Sequence, residues 1–381
     1  MPGSTSTSTM RGHCDSMSAK ASSATNAYSS GSSTAPPTGD GLDLLRRVSK
    51  GRRDVARYLG LPSYRGDQLC EWVFDKGVTD PDAMTNLPKD LRPRLPDLLG
   101  PLSPPILERS AGEDAEKLLV GIAQGDAVEC VAMQRPWGLS ACVSSQLGCA
   151  VGCRFCASGK DGLERNLAAE EIAGQVMAIA VDRETPGHVV FMGMGEPLLN
   201  LDGVLGALAL LCDGHAYPIP EKNVTLSTVG WARGIDRLAA SGRRVRLALS
   251  VHAGDPDLRA ELIPHQPDPL PVVLEAARRY EEATGRRITY EYALLEGVND
   301  GTDQARALAG LLDAGAHVNL IDVNPVEGAG FVPASRGARG RFEEVLASRG
   351  VNVTARRSVG GSADAACGQL RARWVRRNGM R

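Results

Sequence analysis

Aromatic residues are scarce, 4% of a chain that is 43% hydrophobic. A core made from this material is aliphatic, which suits packed helices and strands better than an all-β sandwich. Long apolar runs are missing as well: no stretch of 18 apolar residues occurs, so nothing is long enough to span a membrane as a helix. An excess of either charge is also absent, since 43 Lys and Arg face 45 Asp and Glu for a formal net charge of -2. That balance excludes a global nucleic-acid signature, and an RNA or DNA partner has to be held by local basic patches. The nine cysteines are odd in number and no secretory apolar segment precedes them. A disulfide framework is thereby disfavoured, and a reducing, cytoplasmic setting is expected. With 381 residues the chain can bury a large core, enough for one large domain plus a smaller one.

What is present begins with a cysteine loop that lacks a fourth member. Residues 146 to 158 read Gln-Leu-Gly-Cys-Ala-Val-Gly-Cys-Arg-Phe-Cys-Ala-Ser, with Cys149, Cys153 and Cys156 separated by three residues and then two. Thiolates are the ligands preferred by iron-sulfur clusters and zinc, and this spacing can turn all of them toward one region. The next cysteine is Cys212. Two readings stay open: an iron-sulfur site with one iron free for another ligand, or a zinc site completed from elsewhere in the chain.

Residues 1–40 are Ser, Thr, Gly and Ala with almost no large apolar side chains. Such a segment buries too little surface to offset its ordering entropy, so a disordered tail is expected; a transit peptide is the sharper alternative. Over 41–100 apolar residues recur at helical spacing, as in Leu44, Leu45 and Val48, and prolines at 62, 88, 93 and 96 cut the pattern into short helices. Lys50, Arg52, Arg53, Arg57 and Arg65 cluster in this small helical domain. They suit a phosphate backbone or an ordinary solvated face equally well. Residues 101–137 alternate apolar and polar side chains and predict an antiparallel β extension.

From 138 to 370 strand-like and helix-like runs alternate. Strands are expected over 188–194, 223–229, 245–252, 288–294 and 318–323, with helices over 168–181, 201–212, 234–241, 270–284, 303–314 and 341–349. Counting the strand before the cysteine loop, this makes six strand-helix units. Such a series forms a parallel sheet, curled or open. Polar residues stand where each strand ends: the cysteines, then Gly193-Met-Gly195-Glu196-Pro197, Ser227, Ser250 with His252, Glu291 and Asn324. The carboxyl ends of parallel strands form the active face of such folds. Glu196 at that mouth suits a ligand with an ammonium group, and a plain strand-to-helix turn is the alternative for its segment. Cys367, in Asp364-Ala-Ala-Cys-Gly-Gln, has small neighbours and is either an accessible reactive thiol or a buried structural one; the same holds for Cys142. A basic tail closes the chain over 371–381.

Taken together, these residues resemble the RlmN/Cfr family of radical S-adenosylmethionine (SAM) RNA methyltransferases. The resemblance runs from about Ser49 to Arg373 and rests on Cys142-Val-Ser-Ser-Gln-Leu-Gly-Cys149 through Cys156, Met192-Gly-Met-Gly-Glu-Pro, Val224-Thr-Leu-Ser-Thr228, Leu249-Ser-Val-His252, Val318-Asn-Leu-Ile321 with Asn324, and Asp364 to Leu370. It implies an α/β fold, a partial (β/α)6 radical-SAM barrel with the small N-terminal helical domain attached. It implies that Cys149, Cys153 and Cys156 hold a 4Fe-4S cluster whose fourth iron takes the amino and carboxylate groups of SAM. Gly195, Glu196, Ser227, Ser250, Val251, His252 and Asn324 match the family's SAM-binding positions. Cys367 would carry an S-methyl intermediate, Glu129 would be the proton acceptor, and Cys142 would release product through a transient disulfide with Cys367. Two SAM molecules would be used per turnover. The implied partners are RNA, namely 23S rRNA with tRNA as a further substrate, and an electron donor such as flavodoxin or ferredoxin, with the enzyme a cytoplasmic monomer.

Some positions depart from the family pattern. Asp322 stands where proline is usual, His265-Gln266 replaces an apolar-Asn pair, and residues 351–357 lean toward the Cfr-like branch. These leave open whether C2 or C8 of the adenosine is methylated. The rival readings are a radical SAM enzyme for a small molecule or peptide and a non-catalytic metal-binding RNA module.

Overall fold

Proline punctuation makes the helices of the N-terminal region short, as the computed structural model shows over α1 (Asp43–Val48), α2 (Arg52–Tyr58), α3 (Ser63–Cys70) and α4 (Leu95–Leu99). The structure describes residues 39–181, 183–324, 326, 328–356 and 369–379. The expected tail therefore falls outside the described residues except for its last two, and Cys367 and Arg381 fall outside as well. The turn Glu71–Asp75 continues α3 with wider π-type bonding. Helices this short are not stable alone and depend on packing. Leu44, Leu45, Val48, Val55 and Leu69 are fully or almost fully buried, and they share one continuous apolar core with the barrel residues Leu208 and Leu226. Arg52 anchors the junction by donating to the carbonyls of His215 and Ala216, and Phe74 meets Tyr217 edge-on at 5.3 Å.

The alternating stretch folds as expected into an antiparallel run of β1 (Ile106–Ala111), β2 (Ala115–Gly121), β3 (Ala127–Arg135) and β4 (Gly138–Cys142). Next come a small antiparallel hairpin, β5 (Gln146–Gly148) with β6 (Leu163–Asn166), and helix α5 (Ala169–Ala180). The α/β series continues as β7 (His188–Phe191), α6 (Leu201–Cys212), β8 (Val224–Thr228), α7 (Ala232–Ala240), β9 (Arg246–Ser250), α8 (Pro256–Leu262) and α9 (Leu270–Thr284). It ends with β10 (Thr289–Leu294), α10 (Thr302–Leu311), β11 (His317–Asp322), α11 (Arg336–Ser348), β12 (Asn352–Arg356) and α12 (Gln369–Asn378).

Ten strands make one sheet in the order β1-β2-β3-β4-β7-β8-β9-β10-β11-β12. Every pairing from β4 onward is parallel. Strands β1 and β12 stand at opposite ends of this order, so the barrel is partial, as the resemblance implied. The buried strands are aliphatic and the helices cover the outer face, the usual condition for a parallel sheet.

Two helices were not anticipated. Helix α8 has only seven residues and starts from Asp255, whose carboxylate accepts the Leu258 N–H at 2.8 Å, with Pro256 in the first turn. Helix α12 occupies most of the stretch read as a basic tail. Its Leu370 packs with Leu119 and Ala127 of the β extension, and that apolar contact is what a charge count does not reveal.

Gly148 closes the hairpin under tight constraint. Its φ is +72°, and a Cβ there would lie 1.9 Å from the Gly162 carbonyl oxygen; Gly162 has φ +74° with open space around it. Gly162→Ala is expected to cost only the left-handed penalty, about 1–2 kcal/mol, whereas Gly148→Ala has to push two backbones apart and should cost clearly more. Denaturant unfolding of the two metal-free variants checks this, and equal losses would contradict it.

Candidate active site

The cysteine loop hangs from the β5–β6 hairpin. Cys149 donates its N–H to the Gly162 carbonyl at 2.8 Å and Cys156 donates to that of Cys153 at 3.0 Å. Helix α8 supports the loop from behind: Arg154 donates its N–H to the Leu262 carbonyl and His265 donates to that of Val151. Val151, Leu262 and Ile263 form a small apolar cluster against which Cys149, Cys153 and Phe155 pack. Burial pushes the Cys149 thiol up to about 12, with the nearby Glu196 and Cys156 adding to the rise. Burial likewise raises Cys153, helped by Cys156 and Cys149. The thiols are thus close enough to feel one another. Three thiols on one short loop are the donor set of a 4Fe-4S cluster that keeps one iron open, since in such a cluster each thiolate takes a different iron.

Beside the loop lies the Gly193-Met-Gly-Glu-Pro turn. The space a Cβ would fill at Gly193 is taken by Ser144, 2.5 Å from its Oγ, and at Gly195, with φ +102°, by Gln146 at 2.6 Å. The two glycines therefore let this turn nest on the strand leading into the cysteines, and the close approach is by protein backbone. Ser145 donates its N–H to the Met194 carbonyl and Glu196 donates its N–H to Gln146 Oε1. The Glu196 carboxylate, 3% exposed, accepts from the N–H groups of Leu198 and Val229 at 3.0 and 2.9 Å. Burial raises its pKa, opposed by the Thr228 hydroxyl and these two amides. An ionised carboxylate has lone pairs beyond those used here, so a ligand ammonium group still has acceptors.

At the next strand ends, Ser227 and Ser250 stand with hydroxyl oxygens 3.4 Å apart, both half-buried. Val251 is buried and donates its N–H to the Glu291 carbonyl. His252 adopts φ 59°, rare outside glycine. Three contacts hold it there: Nδ1 accepts the Ala293 N–H at 2.9 Å, its carbonyl accepts from Asn299 Nδ2 at 2.8 Å, and Phe155 meets the ring edge-on at 4.8 Å. Asn324 follows β11 on the same side, half-buried. Two residues that pattern reading missed stabilise this edge. Asn299 ties Leu295, Ala293 and His252 together, and Arg259 of α8, fully buried, donates to the carbonyls of Val229, Ser250 and Val251 and to Gln266. The Asp255-Pro256 start signal was legible and would have exposed α8.

The departures from the family pattern now have partners. Gln266 is an acceptor for Arg259, and both carboxylate oxygens of Asp322 accept from the single Nη1 of Arg339 of α11 at 3.2 Å.

The base candidate Glu129 lies on β3, 2% exposed. Its Oε1 accepts the Arg371 backbone N–H at 2.7 Å and its Oε2 lies 3.4 Å from Lys117 Nζ, also buried. Cys142 pairs in register with Val131, two residues along β3 from Glu129. Alternation puts Glu129, Val131 and Cys142 on one face of the sheet. Helix α12 lies against that face: the Arg371 guanidinium binds the Ala127 carbonyl and forks onto Glu164 at 2.6 and 2.7 Å. The Arg371 guanidinium is therefore occupied within the fold.

A sheet of parallel strands whose mouth carries three cysteines and a buried carboxylate defines a radical SAM enzyme, and the radical SAM superfamily profile matches residues 143–309. That superfamily implies a 4Fe-4S cluster and SAM. Within it the chain belongs to the RlmN family of RNA methyltransferases. Residues 47–99 match the ribosomal RNA large subunit methyltransferase N-terminal domain. A probable dual-specificity RNA methyltransferase RlmN of Symbiobacterium thermophilum is 46% identical over 335 residues, covering 85% of this chain and 90% of the relative. Its counterpart from Salinibacter ruber is 42% identical, covering 87% and 94%. A radical SAM methyltransferase from Sphaerobacter thermophilus has a crystal structure similar at a TM-score of 0.77 and 39% identity, covering 84% of this chain and 96% of that one.

Burial holds the His252 ring neutral, its pKa lowered to about 3, with the Arg259 charge adding to the effect. The unfolded chain takes up that proton near pH 6.5. The stability contributed by the neutral ring is therefore full above pH 6.5 and drains as pH falls toward 3, by at most about 1.4 kcal/mol per pH unit. His252→Asn tolerates the positive φ and cannot titrate. The difference in unfolding free energy between wild type and variant should shrink or reverse across this window; a constant difference would refute the assignment.

Proposed function

We propose that this chain methylates a carbon, C2 or C8, of an adenosine in 23S rRNA, and also acts on tRNA, through an S-methylcysteine formed on Cys367. Its curated relatives are named dual-specificity RNA methyltransferases, which supports more than one RNA substrate. The cysteine donor set described above fits a cluster on Cys149, Cys153 and Cys156. Glu196, Gly195, Ser227, Ser250, Val251, His252 and Asn324 are the SAM-binding residues of this reading. When bound, the cluster and SAM supply one-electron cleavage to a 5′-deoxyadenosyl radical, the chemistry an electron-poor amidine carbon requires.

The observation that carries the reading is the docking of α12. Arg371, four residues after Cys367 in sequence, donates its backbone N–H to Glu129, on the sheet face that also holds Cys142. That bond ties the start of α12 to the sheet face of Glu129 and Cys142, while Cys367 itself lies outside the described residues. Cys367 accepts a methyl group from a first SAM, its thiol proton leaving, and the S-methyl would give up one hydrogen atom to the 5′-deoxyadenosyl radical of a second. The resulting S-methylene carbon bonds to the adenine carbon. Glu129 takes the proton from that carbon, which demands a carboxylate held within hydrogen-bond reach. The adduct's remaining unpaired electron would return to the cluster that supplied the first one; Cys142 then attacks the Cys367 sulfur, the S–S bond forming as the S–CH2 bond breaks, and the freed carbon takes the Cys142 thiol proton to become the methyl group.

The adenine has to leave its stack to reach this face, which costs a few kcal/mol and favours an unpaired or strained target. Lys50, Arg53 and Arg57 are exposed beside Tyr58 and Tyr64, 46% and 53% exposed, a mixture of charge and stacking surface suited to RNA. A flavodoxin or ferredoxin as electron donor, a monomeric state and a cytoplasmic location complete the proposal.

Mass spectrometry of 23S rRNA and tRNA from cells with and without the gene should reveal 2-methyl- or 8-methyladenosine only when it is present. Cys367→Ala should abolish the mark while leaving iron binding intact. Undiminished methylation by that variant would exclude the S-methylcysteine route.

A further inference from the structure

Arg259 is the largest fully buried side chain among the described residues, with 0% exposure. Its guanidinium donates Nε to the Val251 carbonyl at 3.1 Å and Nη2 to those of Val229 at 2.6 Å and Ser250 at 3.3 Å, while Nη1 meets Gln266 Oε1. All these partners are neutral. Among the described residues no carboxylate forms an ion pair with it. An arginine buried this way is normally matched by a carboxylate or phosphate, because an isolated interior charge is strongly disfavoured.

Asp268 lines the same cavity as Arg259, but its carboxylate accepts the Ala232 N–H at 2.8 Å and forms no ion pair with the guanidinium; the other source of negative charge is the cysteine loop. Helix α8 backs the cysteine loop through the Arg154–Leu262 and His265–Val151 backbone bonds, and Leu258 and Leu262, flanking Arg259 on that helix, belong to the apolar cluster that Cys149 and Cys153 pack against. Burial lowers the Arg259 pKa to about 10, which leaves the guanidinium charged at neutral pH. A cluster carried by three thiolates is net negative, and each electron it accepts adds to that charge.

We propose that Arg259 is the internal counter-ion of the iron-sulfur cluster, a positioning residue that raises the cluster's reduction potential while holding the ends of β8 and β9, and with them the SAM-facing residues, against the cysteine loop. The inference rests on the reading that Cys149, Cys153 and Cys156 hold a cluster. The guanidinium stabilises the reduced state more than the oxidised one, since net charge near a cluster is among the main determinants of its potential. Its three carbonyl contacts make the same cation the support of the strand ends where Ser227, Ser250 and Val251 stand. The charge that initiates electron uptake and the geometry that receives SAM are thereby set by one side chain.

The test uses the full-length chain, reconstituted anaerobically with iron and sulfide, and reads bound iron and the cluster potential by EPR-monitored redox titration without SAM. Arg259→Gln removes the charge and keeps donors; Arg259→Lys keeps the charge and loses the fork. In the Gln variant the reduced-to-oxidised ratio at a fixed potential should fall at least tenfold, a shift of about 59 mV for one electron, while the Lys variant stays within threefold of wild type. A Gln variant that binds no iron beside a Lys variant that does would support the same conclusion. Equal shifts in both variants, no shift in Gln, or loss of iron from both would overturn it. A wild-type chain that binds no iron under these conditions would instead sink the cysteine-site reading, independently of Arg259.

Discussion

Everything in the site depends on two backbones lying closer together than side chains would permit. The segment 144–146 and the turn 193–195 touch through Gly193 and Gly195, and this contact brings the strand that launches the cysteine loop against the turn that carries Glu196. Gln146 reinforces it from its side chain, accepting the Glu196 N–H and donating to Asn166 across the hairpin. A Cβ at either glycine would separate cysteines from carboxylate. The two parts of the site are built on different strand ends, so no local preference could align them without this nesting.

Around that contact several buried polar side chains act as fasteners with partners supplied. Gln175 of α5 bonds both the N–H and the carbonyl of Ser144. Asn200 reaches the carbonyls of Ser145 and Leu167, and Glu171 receives Arg165 and the Ala168 N–H. Satisfied networks of this kind define one arrangement because a half-made version leaves polar atoms unpaired in an apolar interior. Arg259 belongs to the same class of fastener but differs in carrying a charge, and the same logic that makes the neutral fasteners stable requires a counter-charge for it.

Strands β1 to β3, with Cys142 of β4, and helix α12 bring together a second group of residues next to the hairpin that bears the cysteines. Lys117 and Arg371 hold the two oxygens of Glu129 in a buried setting, and the Arg371–Glu164 fork ties α12 to the hairpin that bears the cysteines. In the proposed mechanism, charge initiation and carbon transfer fall to distinct elements joined through one hairpin. A chain with balanced overall charge can still engage RNA in this scheme, since the exposed basic and aromatic residues of the N-terminal helices act locally.

Much of this was legible in the amino-acid order. The six strand-helix units, the antiparallel extension, the short proline-cut helices and the row of polar strand ends all follow from periodicity and turn chemistry, which are local properties. The spacing of Cys149, Cys153 and Cys156 likewise raises the expectation of a metal site with an open position, because ligand type and loop length are written in adjacent residues. What only the tertiary structure decided concerns partners distant in sequence. The order does not reveal that the glycines of the 193–195 turn accommodate another strand, that Arg371 reaches back 242 residues to Glu129, or that Arg259 stands buried beneath the cysteine loop. Each of these is a polar or steric match between segments whose meeting is dictated by the folding of the sheet, and a basic residue in a short, unanticipated helix looks like any solvated arginine until that sheet closes around it.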